Sequence, residues 1–146
     1  MAATRTAEVV WEGSLLEGGG TIESVGSGVL GDLPVTWKAR AEEESGGKTS
    51  PEELIAAAHA SCLSMALSGV LAKAGTPPER LRVGARATFV PGEGMTTMEL
   101  DVAGRVPGMD GEAFRRAAED AKDDCPVSQA LKGNVDIRLT ASLEEG

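Results

Sequence analysis

Two cysteines and a single histidine are the residues of this chain best suited to covalent chemistry. Cys62 closes the run Thr49-Ser-Pro-Glu-Glu-Leu-Ile-Ala-Ala-Ala-His-Ala-Ser-Cys62. Cys125 lies in Ala121-Lys-Asp-Asp-Cys125-Pro-Val-Ser-Gln-Ala-Leu131. Two thiols in an acidic chain are too few for a disulfide scaffold and suit a nucleophile with a resolving partner. His59 precedes Cys62 by three residues, a neighbouring position on a helical surface. That spacing permits a Cys–His ion pair of the kind a thiol hydrolase uses. The other reading of His59 is an ordinary helix histidine bonded to solvent or to a carbonyl. Cys62 alone also reads as a small buried hydrophobe. No Cys-x-x-Cys occurs, which excludes a thioredoxin-type motif. One histidine with two distant cysteines does not make a structural zinc site, and Gly18-Gly-Gly20 lacks the Lys and helix of a phosphate loop. Neither a metal nor a cofactor is expected.

The two thiols differ in their surroundings. Cys62 sits in the middle of a helix, remote from the electropositive N-terminus that lowers a thiol pKa. A reactive Cys62 needs a cation from elsewhere, and Arg40 is a candidate, although Arg40 reads equally as a solvent-facing strand residue. If Pro126 occupies the first position of a short helix, Cys125 is its N-cap and unpaired N–H groups stabilise its thiolate. Such a thiol also leaves readily in disulfide exchange. Asp123 and Asp124 act in the opposite sense. Local electrostatics leave open which cysteine attacks first.

The elements that must position these residues are legible from patterning. Ala7, Val9 and Trp11 alternate with Glu8, Val10 and Glu12 as in a half-buried strand. Gly18-Gly-Gly20 reads as a turn before a strand near Thr21 to Ser24, and Gly31-Asp32 as a tight turn. Val35, Trp37 and Ala39 then alternate with Thr36, Lys38 and Arg40, which puts Arg40 on the strand face opposite Trp37. Ser50 as N-cap, Pro51 at the first helical position and Glu53 completing a capping box start a long helix that Gly75 ends. This helix is apolar almost all round and calls for burial on several sides. Leu81 to Phe89 and Met98 to Val102 alternate on either side of Pro91-Gly-Glu-Gly94, a hairpin. Asp110 caps a second helix whose apolar face carries Phe114, Ala117, Ala118, Ala121 and finally Cys125. Val135 to Leu143 is a last strand. Strands in antiparallel runs with two main helices predict an α+β fold in one domain, residues 1–146.

Composition narrows the function classes. The 146 residues carry a formal net charge of −9 with Lys and Arg scattered, which argues against nucleic acid and against an anionic membrane surface. Neither a signal-peptide core nor an apolar stretch approaching the ~20 residues of a membrane span is evident. The expected compartment is the cytoplasm, where thiols stay reduced unless oxidation is their task.

The two cysteine motifs and the element order resemble those of the OsmC/Ohr family, over nearly the whole chain. Ala58-His59-Ala60 before Cys62 is similar to the OsmC branch, and Arg40 matches that branch's arginine. The early glycine-rich loop lacks the arginine of the Ohr branch. The resemblance implies an intertwined homodimer with active sites shared between subunits and a thiol peroxidase acting on organic hydroperoxides. Cys62 is then the attacking thiolate, Cys125 the resolving thiol, Arg40 and Glu52 their polar partners, and an external thiol the reductant. An apolar lining drawn from Leu54, Leu63, Met65 and Phe114 would favour organic hydroperoxides over hydrogen peroxide. Two rivals stand beside this reading. One is a redox sensor or binding protein using the same disulfide as a switch. The other is a Cys62–His59 hydrolase. Glu52 also poses a geometric problem. Ten helical residues from Cys62 correspond to a rise of about 15 Å, so either the helix breaks between them or Glu52 serves the partner's site.

Overall fold

The glycine-rich start of the chain is strand. In the computed structural model, which describes residues 2–144, β1 (Ala7–Glu12), β2 (Gly19–Val25) and β3 (Gly31–Val35) form an antiparallel sheet in that order. Gly19 and Gly20, expected in a turn, open β2 instead. Gly20 pairs with Trp11 on one side and Val35 on the other. A Cβ at Gly20 would lie 2.8 Å from the Trp11 ring and 2.9 Å from Val35 Cγ2, so close approach of these side chains requires glycine. Pro34 sits on β3, an edge strand, where its missing N–H costs no ladder bond. β1 was expected to be half-buried, yet it is exposed along its length.

Beyond β3 the structure departs from the sequence expectation. The apparent strand carrying Arg40 is a short helix, α1 (Trp37–Ala41), with Thr36 as its N-cap accepting from the Ala39 N–H at 3.1 Å. On a helix, positions 37 and 40 share a face. Arg40 accordingly lies over the Trp37 ring, 6.0 Å from its centroid, rather than opposite it.

α2 (Pro51–Lys73) is unbroken. Ser50 caps it, its Oγ accepting from the Glu53 N–H at 3.2 Å. Glu53 does not close the expected capping box, because its carboxylate accepts from the Thr49 hydroxyl at 2.8 Å. At the other end Gly75 has φ +83°. The Thr76 N–H bonds to Leu71 and the Gly75 N–H to Ala72, a Schellman closure. The buried residues of α2 are Glu52, His59, Leu63, Leu67 and Leu71, a narrow stripe. By length and composition this helix could cross a membrane, with a mean hydropathy of 1.7 over its most apolar window, of which only 22% is buried. The expectation that no stretch approaches membrane-span character is corrected to that extent. Of this stripe, Leu63, Leu67 and Leu71 pack in a hydrophobic core.

β4 (Arg80–Val90) and β5 (Gly94–Arg105) form the expected hairpin. α3 (Gly111–Asp124), N-capped by Asp110, and α4 (Pro126–Leu131) lead to β6 (Asp136–Leu143). β6 pairs with β5 in parallel. The antiparallel expectation therefore holds for the other strand pairs, and the connection through α3 and α4 accounts for the exception. The α+β class stands, with two three-stranded sheets. The chain forms two compact units, one up to Leu54 and one from Ile55 onward. Leu63, Leu67 and Leu71 meet Met98, Leu100, Val102 and Phe114 in the core of the second. In the first, Ile22 is the buried apolar residue among those described.

Candidate active site

In the second unit the thiols meet. Cys125 ends α3 and caps α4, with Pro126 at the first helical position, as its sequence context predicts. It is fully buried, whereas Cys62 is partly exposed, and both are free thiols. The two thiols lie close enough that each acts on the ionisation of the other.

The pair is polarised. Burial pushes Cys62 up, and donation to Cys125 together with negative charge there adds to the rise, against a Val127 N–H that stabilises the thiolate. Burial also pushes Cys125 up, but the Cys62 S–H, the Ser128 N–H and hydroxyl and the Val127 N–H outweigh it, so that Cys125 falls below its ordinary value. Of the two thiols, Cys125 is the one whose surroundings favour the thiolate. The side chain and backbone group acting on Cys62 in this way both belong to its own unit.

His59 extends the network. It is fully buried, and its Nε2 lies 2.7 Å from Ser128 Oγ. Ser128 is 5% exposed. His59 Nδ1 is a buried side-chain atom with no partner among the described residues. Burial holds the imidazole below its usual pKa and thus neutral. His59 is bonded neither to solvent nor to a carbonyl, and its partner is not Cys62 as a hydrolase pairing requires. Sequence reasoning missed Ser128. The available signal was its place three residues after a capping cysteine, where a side chain turns back toward the cap.

In the first unit Arg40 and Glu52 are brought together. Arg40 Nε donates to Glu52 Oε1 at 2.9 Å and Oε2 at 3.2 Å, and Nη2 donates to Oε2 at 2.9 Å. The carboxylate is nearly buried, while the guanidinium is about one-third exposed. Such a fork fixes the plane of the arginine. Beside it lies a cavity of about 410 Å³ lined by Trp11, Ile22, Val35, Trp37 and Leu54, with Arg40 as its charged wall. Of the lining expected from sequence, Leu54 is present. Leu63 and Phe114 are sealed in the core of the other unit, and Met65 is 75% exposed. No cluster of metal-ligating side chains occurs among the described residues.

The chain is similar to known proteins in sequence and in fold. Residues 44–140 match the model of the family described as OsmC-like protein. The chain is 39% identical to peroxiredoxin OsmC of Escherichia coli over 140 residues, 94% of this chain and 96% of that one. It is 31% identical to the organic hydroperoxide resistance protein of Xanthomonas axonopodis pv. citri, covering 79% and 84%. Among solved structures, an organic hydroperoxide resistance protein from Elizabethkingia anophelis superposes with a TM-score of 0.69 at 25% identity, over 99% and 100% of the two chains. An OsmC-like protein from Mycoplasma pneumoniae shares the fold with a TM-score of 0.69 at 13% identity, over 99% and 100%. By sequence and by fold, the chain belongs to the OsmC family.

Proposed function

We propose that this protein is a cysteine-based peroxidase that reduces organic hydroperoxides to alcohols. The observation that carries the reading is the neighbouring Cys62–Cys125 thiol pair in a chain 39% identical to a peroxiredoxin. Cys62, the more accessible sulfur, attacks the distal peroxide oxygen as a thiolate. The O–O bond breaks, the alkoxide takes a proton and leaves as alcohol, and Cys62 becomes a sulfenic acid. Cys125 attacks that sulfur and hydroxide leaves as water after taking a proton. An external dithiol then reduces the disulfide, regenerating both thiols. A regulatory switch made from the same disulfide is not favoured, since the relatives are named as a peroxiredoxin and hydroperoxide resistance proteins.

The surroundings of Cys62 disfavour its thiolate, so a Cys62 thiolate calls for a cation from outside its own unit. We assign that role to Arg40, held in plane by Glu52, acting on the Cys62 of a second copy in a homodimer with shared sites. Continuity of α2 supports this, because it removes the alternative of a helix break between Glu52 and Cys62. Uncovered apolar surface supports it as well. Val9, Val10, Trp11, Leu15 and Leu16 are each at least 40% exposed, and α2 leaves Ala57, Ala58, Met65 and Gly69 open. The cavity beside Arg40 would receive the apolar part of the substrate, and the whole chain would act as one domain in the cytoplasm, where thiol reductants are available.

A coupled assay tests the reading. Cumene hydroperoxide with a dithiol should be consumed catalytically and faster than hydrogen peroxide. Cys62→Ser should abolish turnover and Cys125→Ser should stop it after a single event or overoxidise the enzyme. Activity that survives Cys62→Ser would overturn the proposal. Hydrolysis of thioesters lost with His59→Ala but kept with Cys125→Ser would favour the hydrolase instead.

A further inference from the structure

Arg40 is carried by a very short element. α1 spans five residues, Trp37–Ala41, and buries none of them. A single helical turn is not stable by itself, and the contacts at its start hold only backbone. Thr36 Oγ1 accepts from the Ala39 N–H at 3.1 Å, and the Arg40 N–H donates to the Thr36 carbonyl at 3.3 Å. The guanidinium must therefore be held by contacts of its own. The Glu52 carboxylate takes one edge, through Nε and Nη2. Such a fork keeps the two groups coplanar. It does not stop them tilting together, because the last torsion of a glutamate side chain is broad. The Trp37 ring supplies a restraint of the missing kind. One turn of helix places position 37 beside position 40, and Arg40 Cζ lies over the ring, 6.0 Å from its centroid. An indole face attracts a guanidinium electrostatically and by stacking. The ring is itself partly buried, in the wall of the cavity beside Arg40.

We propose that Trp37 is a positioning residue for Arg40: its ring holds one face of the guanidinium while Glu52 holds one edge, so that the charge stays aimed at the thiol it serves. The inference rests on the assignment of Arg40 to the Cys62 of a second copy. Trp37 also lines the cavity, and lining and positioning make different demands on a side chain. A lining residue needs apolar bulk, which leucine supplies in part. A positioning residue needs an aromatic face, which phenylalanine supplies and leucine does not. Lining also acts on bulky substrates alone, whereas an aimed Arg40 acts on every electrophile that Cys62 attacks. The guanidinium is about one-third exposed, which puts the contact in the lower part of the range for cation–π pairs. Its loss should therefore be read as about three- to tenfold, equivalent to ~0.7–1.4 kcal/mol.

Two measurements on the full-length protein test this. The first is a double-mutant cycle on stability, which requires no turnover. Wild type, Trp37→Leu, Arg40→Met and the double variant are unfolded in urea at fixed protein concentration and followed by circular dichroism. Trp37→Leu should lower the folding equilibrium constant about three- to tenfold more with Arg40 present than in the Arg40→Met background. Trp37→Phe should keep most of that coupling. The second measurement reads the thiol. Alkylation of Cys62 by iodoacetamide, and kcat/KM for tert-butyl and for cumene hydroperoxide, should fall by a common factor of about three to ten in Trp37→Leu. Trp37→Phe should stay close to wild type, and Trp37→Leu should add no further fall to Arg40→Met. A coupling on stability below about twofold, or a Trp37→Phe variant no better than Trp37→Leu, overturns the proposal. So does a fall confined to cumene hydroperoxide, which marks a residue that only lines the cavity. Coupling on stability with alkylation indifferent to Arg40→Met would show that Arg40 does not serve Cys62, and the proposal falls with that assignment. Coupling together with the common effect on alkylation, but no hydroperoxide turnover, leaves the role of Trp37 standing and removes the peroxidase reading alone.

Discussion

The Arg40–Glu52 fork gives the sharpest energetic prediction. Glu52 is 6% exposed, and its carboxylate accepts three N–H contacts of 2.9, 3.2 and 2.9 Å from Arg40. Arg40→Met removes all three while keeping most of the stem that packs near Trp37. A buried ion pair broken on one side typically costs ~3–5 kcal/mol, because the remaining charge is stranded. The guanidinium is about one-third exposed, so water replaces part of what is lost and the expected cost drops to about 1–3 kcal/mol. Glu52→Met alone strands an arginine that can turn toward solvent and should cost less. The double variant should be more stable than the sum of the single effects allows, with a coupling of about 1–2 kcal/mol. Urea unfolding at fixed protein concentration, followed by tryptophan fluorescence, is a suitable assay. Both tryptophans, Trp11 and Trp37, lie in this unit, and Trp37 is directly beneath Arg40. Additive single effects, with a coupling below about 0.5 kcal/mol, would refute the reasoning that Glu52 depends on Arg40.

Three further outcomes are expected. Gly104→Ala should lower the melting temperature by about 3–10 °C. Its Cβ would lie 2.5 Å from Phe114 Cζ in a sealed core, an overpacking cost of ~1–3 kcal/mol, and an unchanged melting temperature would contradict that contact. His59 is held below the usual imidazole pKa of 6.5 by burial. Its contribution to stability is therefore present above that value and lost as pH falls toward the folded-state pKa. Wild type should accordingly lose stability relative to His59→Leu as pH drops below 6.5 in urea titrations, and parallel curves would show that His59 titrates normally. Mixing Glu52→Ala with Cys62→Ser chains under conditions of subunit exchange should recover activity, since each mixed dimer keeps one complete site. Mixtures no more active than their parents would exclude sites shared in trans.

Much of this architecture was legible because it rests on strong local signals. The caps at Ser50 and Asp110, the glycine after α2, the β4–β5 hairpin and the Cys125-Pro126 junction each have a local cause and lie where the sequence puts them. Arg40 was misplaced because Val35, Trp37 and Ala39 alternate as a strand does, while the competing signal was one capping threonine before a five-residue helix. The parallel pairing of β6 depends on a crossover through α3 and α4, a non-local matter that alternation within β6 does not encode. The His59–Ser128 bond joins residues 69 positions apart. Helical spacing points His59 toward Cys62, and only the docking of α4 brings it to Ser128 instead. Leu63 and Phe114, expected to line a cavity, lie in the core instead, because such side chains look alike in sequence whether they face a cavity or a core.

The central claim is that Cys62 and Cys125 form a peroxide-reducing couple, and a single-turnover measurement tests it directly. Reduced protein, freed of excess thiol, is mixed with one equivalent of cumene hydroperoxide, and intact mass and released alcohol are followed together. The account predicts one equivalent of cumyl alcohol and a mass loss of about 2 Da, the two hydrogens of a Cys62–Cys125 disulfide. It also predicts that Cys125→Ser still releases the alcohol but gains oxygen on Cys62. Alcohol release undiminished in Cys62→Ser, or wild-type protein that leaves the hydroperoxide intact with both thiols still reduced, would contradict it.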